Sequence, residues 1–250
     1  MYIETEGIIL KQIKAANGRR MVLLFSKKNG KISAGTGMNE RGRNRSALAI
    51  RPFTHGKYSI YKSYDSYNIN TAEVIKAYYK IGEDIDKYMC ASFILEFTEK
   101  LLPEDMPSPE LFKLLLDFFD LMENRMKKYM TPAIAFQMKA IQIMGMTPEI
   151  MQCVSCGKKE GLAFFSVRDG GTLCGDCRNI NINNNDELIY DINFDTINAL
   201  RYFLVNNLKS IENIALNEEI LTKLQKITKE YRAYHLSMAE LLSEDFLKID

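Results

Sequence analysis

Two Cys-x-x-Cys pairs, Cys153-Val154-Ser155-Cys156 and Cys174-Gly175-Asp176-Cys177, constrain this chain more than any other stretch. The 17 residues between Cys156 and Cys174 fall within the spacing of about 15–20 that marks a structural zinc site. A two-residue gap lets two thiolates on one tight turn point at the same ion. Two such turns complete a tetrahedron of sulfurs at about 2.3 Å from the metal. That shell has no open position for water, so the single zinc expected here is structural rather than catalytic. Gly157, after the first pair, and Gly175, inside the second, are expected to relax the backbone at the two turns. Between the pairs, residues 162–166 and 170–173 read as a short hairpin, which makes a ribbon-like knuckle inserted in something larger. Two other readings of these cysteines stay open. One is a pair of disulfides, which are rare in a reducing compartment. The other is a redox site, which needs only one Cys-x-x-Cys beside a βαβ unit. The fifth cysteine, Cys90, sits among Tyr88, Met89, Ala91 and Phe93 and reads as a small buried hydrophobe.

Charge divides the chain. The whole carries only +1, yet residues 1–62 hold 13 Lys and Arg against Glu4, Glu6 and Glu40, a net +10. The remaining residues therefore carry 20 bases against 29 acids. Such a split points to a basic, nucleic-acid-facing module joined to an acidic body, with an ordinary solvated surface as the plain alternative. Lys11, Lys14, Arg19 and Arg20 flank the first expected turn. Lys27, Lys28 and Lys31 sit on the next, and Arg41, Arg43, Arg45 and Arg51 occupy a glycine-bearing connection. Cations on loops around a barrel can line one groove, where each neutralised phosphate releases counterions.

The front of the chain reads as strands: Ile3–Ile13, Met21–Phe25, Lys31–Gly35 after an Asn29-Gly30 hairpin signal, and runs opening at His55. Five short strands fit an OB-like barrel, a fold suited to nucleic acid. Tyr58, Tyr61, Tyr64 and Tyr67 can stack on bases or pack within the barrel, and packing is the more common use. From Thr71 the spacing changes towards a helical period, with Thr71–Val74 reading as a cap and first turn and Gly82 as an interruption. Helical stripes then run from Ile85 to Leu101, from Ser108-Pro109-Glu110 onwards, and from Thr131-Pro132 to Gly145. An asparagine-rich linker, 179–186, precedes helices at about 194–207 and 217–243. The expected architecture is α+β and multidomain. An OB-fold nucleic-acid-binding domain occupies 1–80, and a mostly α-helical domain occupies 81–250, with the zinc knuckle inserted at about 150–180.

Much chemistry lacks its residues. None of the Gly-Lys pairs at 30–31, 56–57 and 157–158 is followed by the Ser or Thr of a phosphate-binding P-loop. There is no H-E-x-x-H and no G-x-S-x-G. With His55 and His235 as the two histidines, His235 reads as structural. No apolar run approaches the roughly 20 residues of a membrane span, and Met1–Glu6 lacks a basic stretch leading into an apolar core, so an intracellular protein is expected.

An ordered series of short segments completes the picture: Thr5–Lys11, Gly30–Ala34, Pro52-Phe53-Thr54, Ala91–Glu96, Leu101-Leu102-Pro103, Pro109–Phe112, the two Cys-x-x-Cys pairs and Tyr234-His235-Leu236. In this order they resemble the RecO family of bacterial recombination mediators and DNA-repair proteins. The resemblance implies an N-terminal OB fold, a helical domain with a four-cysteine zinc site, and no covalent catalysis. It implies binding of single- and double-stranded DNA and annealing of complementary strands. The implied partners are RecR and the acidic C-terminal tail of single-stranded-DNA-binding protein, with RecA loaded indirectly at gaps. The implied place is the cytoplasm, at the nucleoid. Lys11, Arg19, Arg20, Lys27, Lys28, Lys31, Arg41, Arg43, Arg45 and Arg51 are the expected DNA contacts; Cys153, Cys156, Cys174 and Cys177 are the expected metal ligands. Two rival functions stay open: an RNA- or tRNA-binding OB module and a zinc-containing nuclease.

Overall fold

The computed structural model describes residues 1–14, 20–38, 45–64, 66–180 and 188–247. Backbone proximity divides the chain into two units, Met1–Asn124 and Arg125–Asp250. The fold is α+β and multidomain, with an N-terminal five-stranded OB-like barrel followed by a mostly helical part that carries the cysteine ribbon.

In the first unit, β1 (Tyr2–Lys14), β2 (Arg20–Ser26), β3 (Gly30–Thr36), β4 (Thr54–Lys62) and β5 (Tyr67–Ala77) close a barrel in the order β1-β2-β3-β5-β4. Pairing is antiparallel except between β3 and β5. Alternation sends Val22, Leu24, Ile32, Ala34, Ile60 and Ile69 inward. The short α1 (Arg45–Ala49) lies between β3 and β4 in the chain, and the buried Ile50 just after it joins that core. Tyr58 is fully buried, and its hydroxyl donates to the Ala49 carbonyl at 2.5 Å. The β2–β3 loop has three residues, because Ser26 pairs with Gly30. Gly30 closes it at φ +72, where a Cβ would lie 2.5 Å from the Met106 carbonyl oxygen. Glycine is required there on both counts.

One expectation fails here. Thr71–Val74 does not begin a helix; β5 runs on to Ala77 and pairs with β4 from Lys62 back to Thr54. Nine paired positions outweigh a local cap signal that has no helix to cap. The helix starts later, at α2 (Ile85–Leu101), where the Asp84 side chain accepts the Lys87 N–H at 2.8 Å. The next helix, α3 (Pro109–Asn124), starts as the Ser108-Pro109 signal indicates, with Ser108 Oγ accepting from Leu111 N at 3.4 Å.

These two helices cover the outward apolar face of the barrel. Phe25 and His55 meet Phe112 with ring centroids 5.3 and 5.7 Å apart, and Phe53 meets Phe119 at 5.7 Å. Each fully buried ring contributes about 1.5–3 kcal/mol. That contact is why the first unit includes the opening helical hairpin.

The second unit is built on α4 (Met130–Ile143), α6 (Phe194–Val205) and α7 (Glu218–Leu236). Asn193 and Asn217 cap α6 and α7 by accepting from Thr196 N and Ile220 N at 2.8 and 2.9 Å. The buried Arg125 donates to the carbonyls of Lys127, Lys128, Glu212 and Ile214 at 2.6–3.1 Å, tying a turn to the end of a neighbouring loop. The helix expected over 217–243 stops at Leu236. Ser237 turns left-handed at φ 53, and Met238 N donates to the Arg232 carbonyl at 3.1 Å. This closing bond satisfies the Arg232 carbonyl as the helix ends. The ribbon comprises β6 (Leu162–Ser166), β7 (Gly171–Cys174) and the six-residue α5 (Gly175–Ile180). A third strand, β8 (Ile189–Asp191), pairs with β6 beyond the asparagine-rich stretch and was not expected. Residues 181–187 of that stretch lie outside the described residues.

Candidate metal centre and nucleic-acid interface

Cys153 and Cys156 sit on the turn before β6, Cys174 ends β7, and Cys177 lies on α5. Their four sulfurs lie within 4.8 Å of one another, and Cys156 Sγ is 3.8 Å from Cys174 Sγ. A tetrahedron with metal–sulfur bonds of about 2.3 Å has edges of about 3.8 Å. All four cysteines are free, and a disulfide needs sulfurs about 2.05 Å apart. The four thiols are therefore placed to hold one metal ion. The turn is shaped for it. Gly157 N donates to the Cys153 carbonyl at 2.8 Å, and Cys153 N donates to the Lys158 carbonyl at 2.8 Å. Gly157 has φ +73, a left-handed value. Gly175 does not share that role; it opens α5 at an ordinary φ. Lys158 and Asp176, one from each Cys-x-x-Cys region, pair at 3.2 Å across the site.

The electrostatics of the thiols differ. Burial opposes ionisation of Cys153, but backbone N–H groups of Cys174, Cys156 and Ser155 outweigh it and bring its pKa down to about 6. At Cys177 the Ser155 hydroxyl favours the thiolate. Cys156, burial, Cys174 and Cys153 outweigh it and push the pKa up to about 12. Thiolates this close repel each other without a cation between them. A divalent ion resolves that repulsion, and the N–H groups around Cys153 are the donors a thiolate ligand needs.

The expected DNA-contact cations are spread over the first unit. Arg19, Arg41 and Arg43 lie outside the described residues, and Arg45 opens α1. Arg20 pairs with Lys14 on β1 and with Thr36 on β3, so Lys14, Arg20 and the end of β3 share one rim. Lys27 and Lys28 turn the β2–β3 hairpin at the other end of β2, roughly 20 Å away at about 3.3 Å per residue. Lys27 lies 3.4 Å from Glu6. Lys11 and Lys31 both meet Glu99 on α2: Lys11 Nζ is 4.0 Å from its carboxylate, and Lys31 Nζ donates to its carbonyl at 3.2 Å. Arg51 is exposed between α1 and β4. Composition carries no signal of the Glu99 and Glu6 contacts, which hold three of these cations within the unit.

The tyrosines divide as well. Tyr58 is core. Tyr64 is fully exposed, and Tyr61 is 43% exposed beside Tyr2, with ring centroids 5.3 Å apart. Tyr79, 60% exposed, and Tyr88, 41% exposed, stand beside Phe53 and Arg51 around one cavity. Tyr79 lies in the β5–α2 connection and Tyr88 on α2, where the sequence places it in a helical stripe. His235 Nε2 donates to the Val167 carbonyl at 2.6 Å, and its ring lies 4.3 Å from that of Tyr231. Among the described residues, no helix is long and apolar enough to cross a membrane.

Comparison with known proteins places the whole chain. The family model described as Recombination protein O N terminal matches residues 1–78, and Recombination protein O C terminal matches residues 82–245. Among relatives, the DNA repair protein RecO of Alkaliphilus metalliredigens is 28% identical over 249 residues, covering 99% of both chains. That of Oceanobacillus iheyensis is 30% identical over 231 residues, 92% of this chain and 87% of its own. That of Bacillus pumilus is 31% identical over 177 residues, 71% and 69% of the two chains.

Proposed function

This chain belongs to the RecO family, and from that premise we propose that it is a non-enzymatic mediator that anneals complementary DNA strands and helps load recombinase at gaps. Its role lies in DNA repair and recombination. The observation that carries the finer reading is the closed barrel with Lys14 and Arg20 side by side on one rim. Two polyanionic strands repel each other. A cationic surface that neutralises phosphates releases counterions and lowers that repulsion, so annealing needs no nucleotide hydrolysis. Residues 1–80 would act as the DNA-binding domain and residues 81–250 as the partner-holding body, the partners being RecR and the acidic tail of single-stranded-DNA-binding protein, with RecA acting downstream in the cytoplasm.

Zinc fits the four sulfurs by spacing and by the backbone donors around Cys153. Cys153, Cys156, Cys174 and Cys177 would hold it. It supplies a closed structural cross-link there and no open position for a substrate. The ligand set therefore gives no support to a nuclease reading.

The test is annealing of complementary strands coated with single-stranded-DNA-binding protein, without ATP. Product should form at a rate that rises with protein and falls steeply with salt. Strands that anneal no faster than without the protein would remove the annealing function. Competition between single-stranded DNA and RNA of one sequence decides the nucleic acid, and RNA binding tighter than DNA would favour the RNA module instead.

A further inference from the structure

A cavity of about 350 Å³ opens in the first unit where α1 leads into β4 and β5 leads into the 3-10 turn Tyr79–Glu83. Arg51, Phe53, Tyr78, Tyr79, Gly82 and Tyr88 are among its walls. Its volume is within the range of small-ligand sites, about 300–1,000 Å³. Four aromatic rings around one opening are more than the barrel needs for closure. Phe53 and Tyr88 pack edge to face at 5.4 Å, and Tyr78 leans on Phe119 at 5.1 Å, so the deep rings are fixed. Tyr79 and Tyr88 keep 60% and 41% of their surface exposed. Phe53 adopts φ 59 while its carbonyl accepts from Tyr78 N at 3.1 Å. For a bulky residue that backbone conformation is an outlier, and it presents the ring to the cavity wall.

Charge narrows the ligand. Among the described lining residues, Arg51 is the one charged group, and Asp120 acts on Tyr78 from behind the wall. A cationic ligand would meet that arginine at the wall. A flat, neutral ring joined to an anion matches both the aromatic faces and the guanidinium.

We propose that this cavity receives one unpaired base of a single DNA strand, stacked against Tyr79 and Tyr88, with Arg51 meeting the adjoining phosphate. The proposal rests on the DNA-binding reading above and adds a site to it where α1 leads into β4. A base still in a duplex cannot enter, so the cavity favours single strands over double strands. For an annealing protein this holds a strand with its pairing partners unstacked until the complement arrives.

The experiment compares wild type, Tyr79→Ala, Tyr88→Ala, Tyr79→Phe and Gly82→Phe for binding to a single-stranded oligothymidylate and to a duplex of equal length. A Cβ at Gly82 meets no atom within 4 Å and φ is not left-handed there, so Gly82→Phe adds bulk at the wall of an otherwise intact fold. Stacking on an aromatic side chain changes affinity by roughly 5- to 100-fold per base. Single-strand affinity should fall by that order in the two alanine variants and in Gly82→Phe, with duplex affinity unchanged and Tyr79→Phe close to wild type. A 5-iodouracil oligonucleotide should photocrosslink to Tyr79 or Tyr88. Unchanged single-strand affinity, or equal loss for both nucleic acids, overturns the site while leaving DNA binding in place. Wild type that binds neither nucleic acid overturns the DNA reading itself. Variants that keep full DNA affinity but release a partner protein would overturn the base site and assign the cavity to that protein.

Discussion

Cys156, on the turn before β6, and Cys174, at the end of β7, hold their sulfurs 3.8 Å apart. That distance is an edge of a zinc tetrahedron and about twice a disulfide bond. The purified protein should therefore release one equivalent of zinc when its thiols are modified. Removing the ion, or replacing any one of Cys153, Cys156, Cys174 and Cys177 by Ser, should lower Tm on the order of 10 °C, because binding free energy at such a site is folding free energy. The check is a metal-release titration beside a thermal melt. A protein that holds no zinc and melts unchanged with chelator would refute the ion as a staple.

Gly157 and Gly175 look equivalent in sequence but differ in backbone. Gly157 is at φ +73, where a side chain costs about 1–2 kcal/mol. Gly175 opens α5, and a Cβ there meets nothing within 4 Å. Gly157→Ala should lower stability by about 1–2 kcal/mol, while Gly175→Ala should leave it unchanged or slightly raised, since alanine favours helix. Denaturant melts of the zinc-loaded proteins compare them directly, and equal losses would contradict the turn geometry.

Lys31 and Lys28 are both expected DNA contacts, yet they stand differently. Lys31 Nζ is engaged with the Glu99 carbonyl, whereas Lys28 is exposed at the hairpin tip. Lys28→Ala should reduce the salt slope of single-strand binding by about 0.7, one phosphate contact, and Lys31→Ala should reduce it by less. Glu99→Gln, which removes the carboxylate 4.0 Å from Lys11, should tighten DNA binding by about twofold, the scale of an exposed pair. Fluorescence anisotropy across a salt series measures all three. If Lys31→Ala proved the more costly, the hairpin tip would not be the contact.

The contrast between Lys28 and Lys31 marks what sequence can disclose. Local chemistry was readable: the Cys-x-x-Cys turns, the glycine after Asn29, the Ser108-Pro109 start of α3 and the alternation that closes the barrel core. Features decided by distant partners were not. Thr71–Val74 carries a good cap pattern, but pairing with β4 keeps it in β5. Ile189–Asp191 is too short to signal a strand until β6 lies beside it. The end of α7 depends on Ser237 turning left-handed, which serine rarely announces. Glu99 meets Lys11 and Lys31 across 88 and 68 positions of chain, a separation at which composition reports only the sum of charges.

His55 carries the last prediction. Its ring is buried against Phe112, with Nε2 3.4 Å from Glu6, whose carboxylate also pairs with Lys27. Burial lowers the His55 pKa; Glu6 opposes this, Lys27 adds to it, and the net value stays below 6.5. The unfolded chain therefore takes up a proton before the folded barrel does. Stability is full above about pH 6.5 and declines as pH falls through the window below it, because the unfolded state binds more protons there. Glu6 acts lower down. Burial raises its pKa, but Lys27 and His55 outweigh that and bring it below 4.5, so its contribution is present above that value and lost on further acidification. Denaturant melts between pH 7.5 and 5.5, at saturating zinc, should show wild type losing stability towards acid. His55→Gln should flatten that loss in the same window, because the titrating group is gone. An equal slope in the variant would mean that the proton is taken up elsewhere.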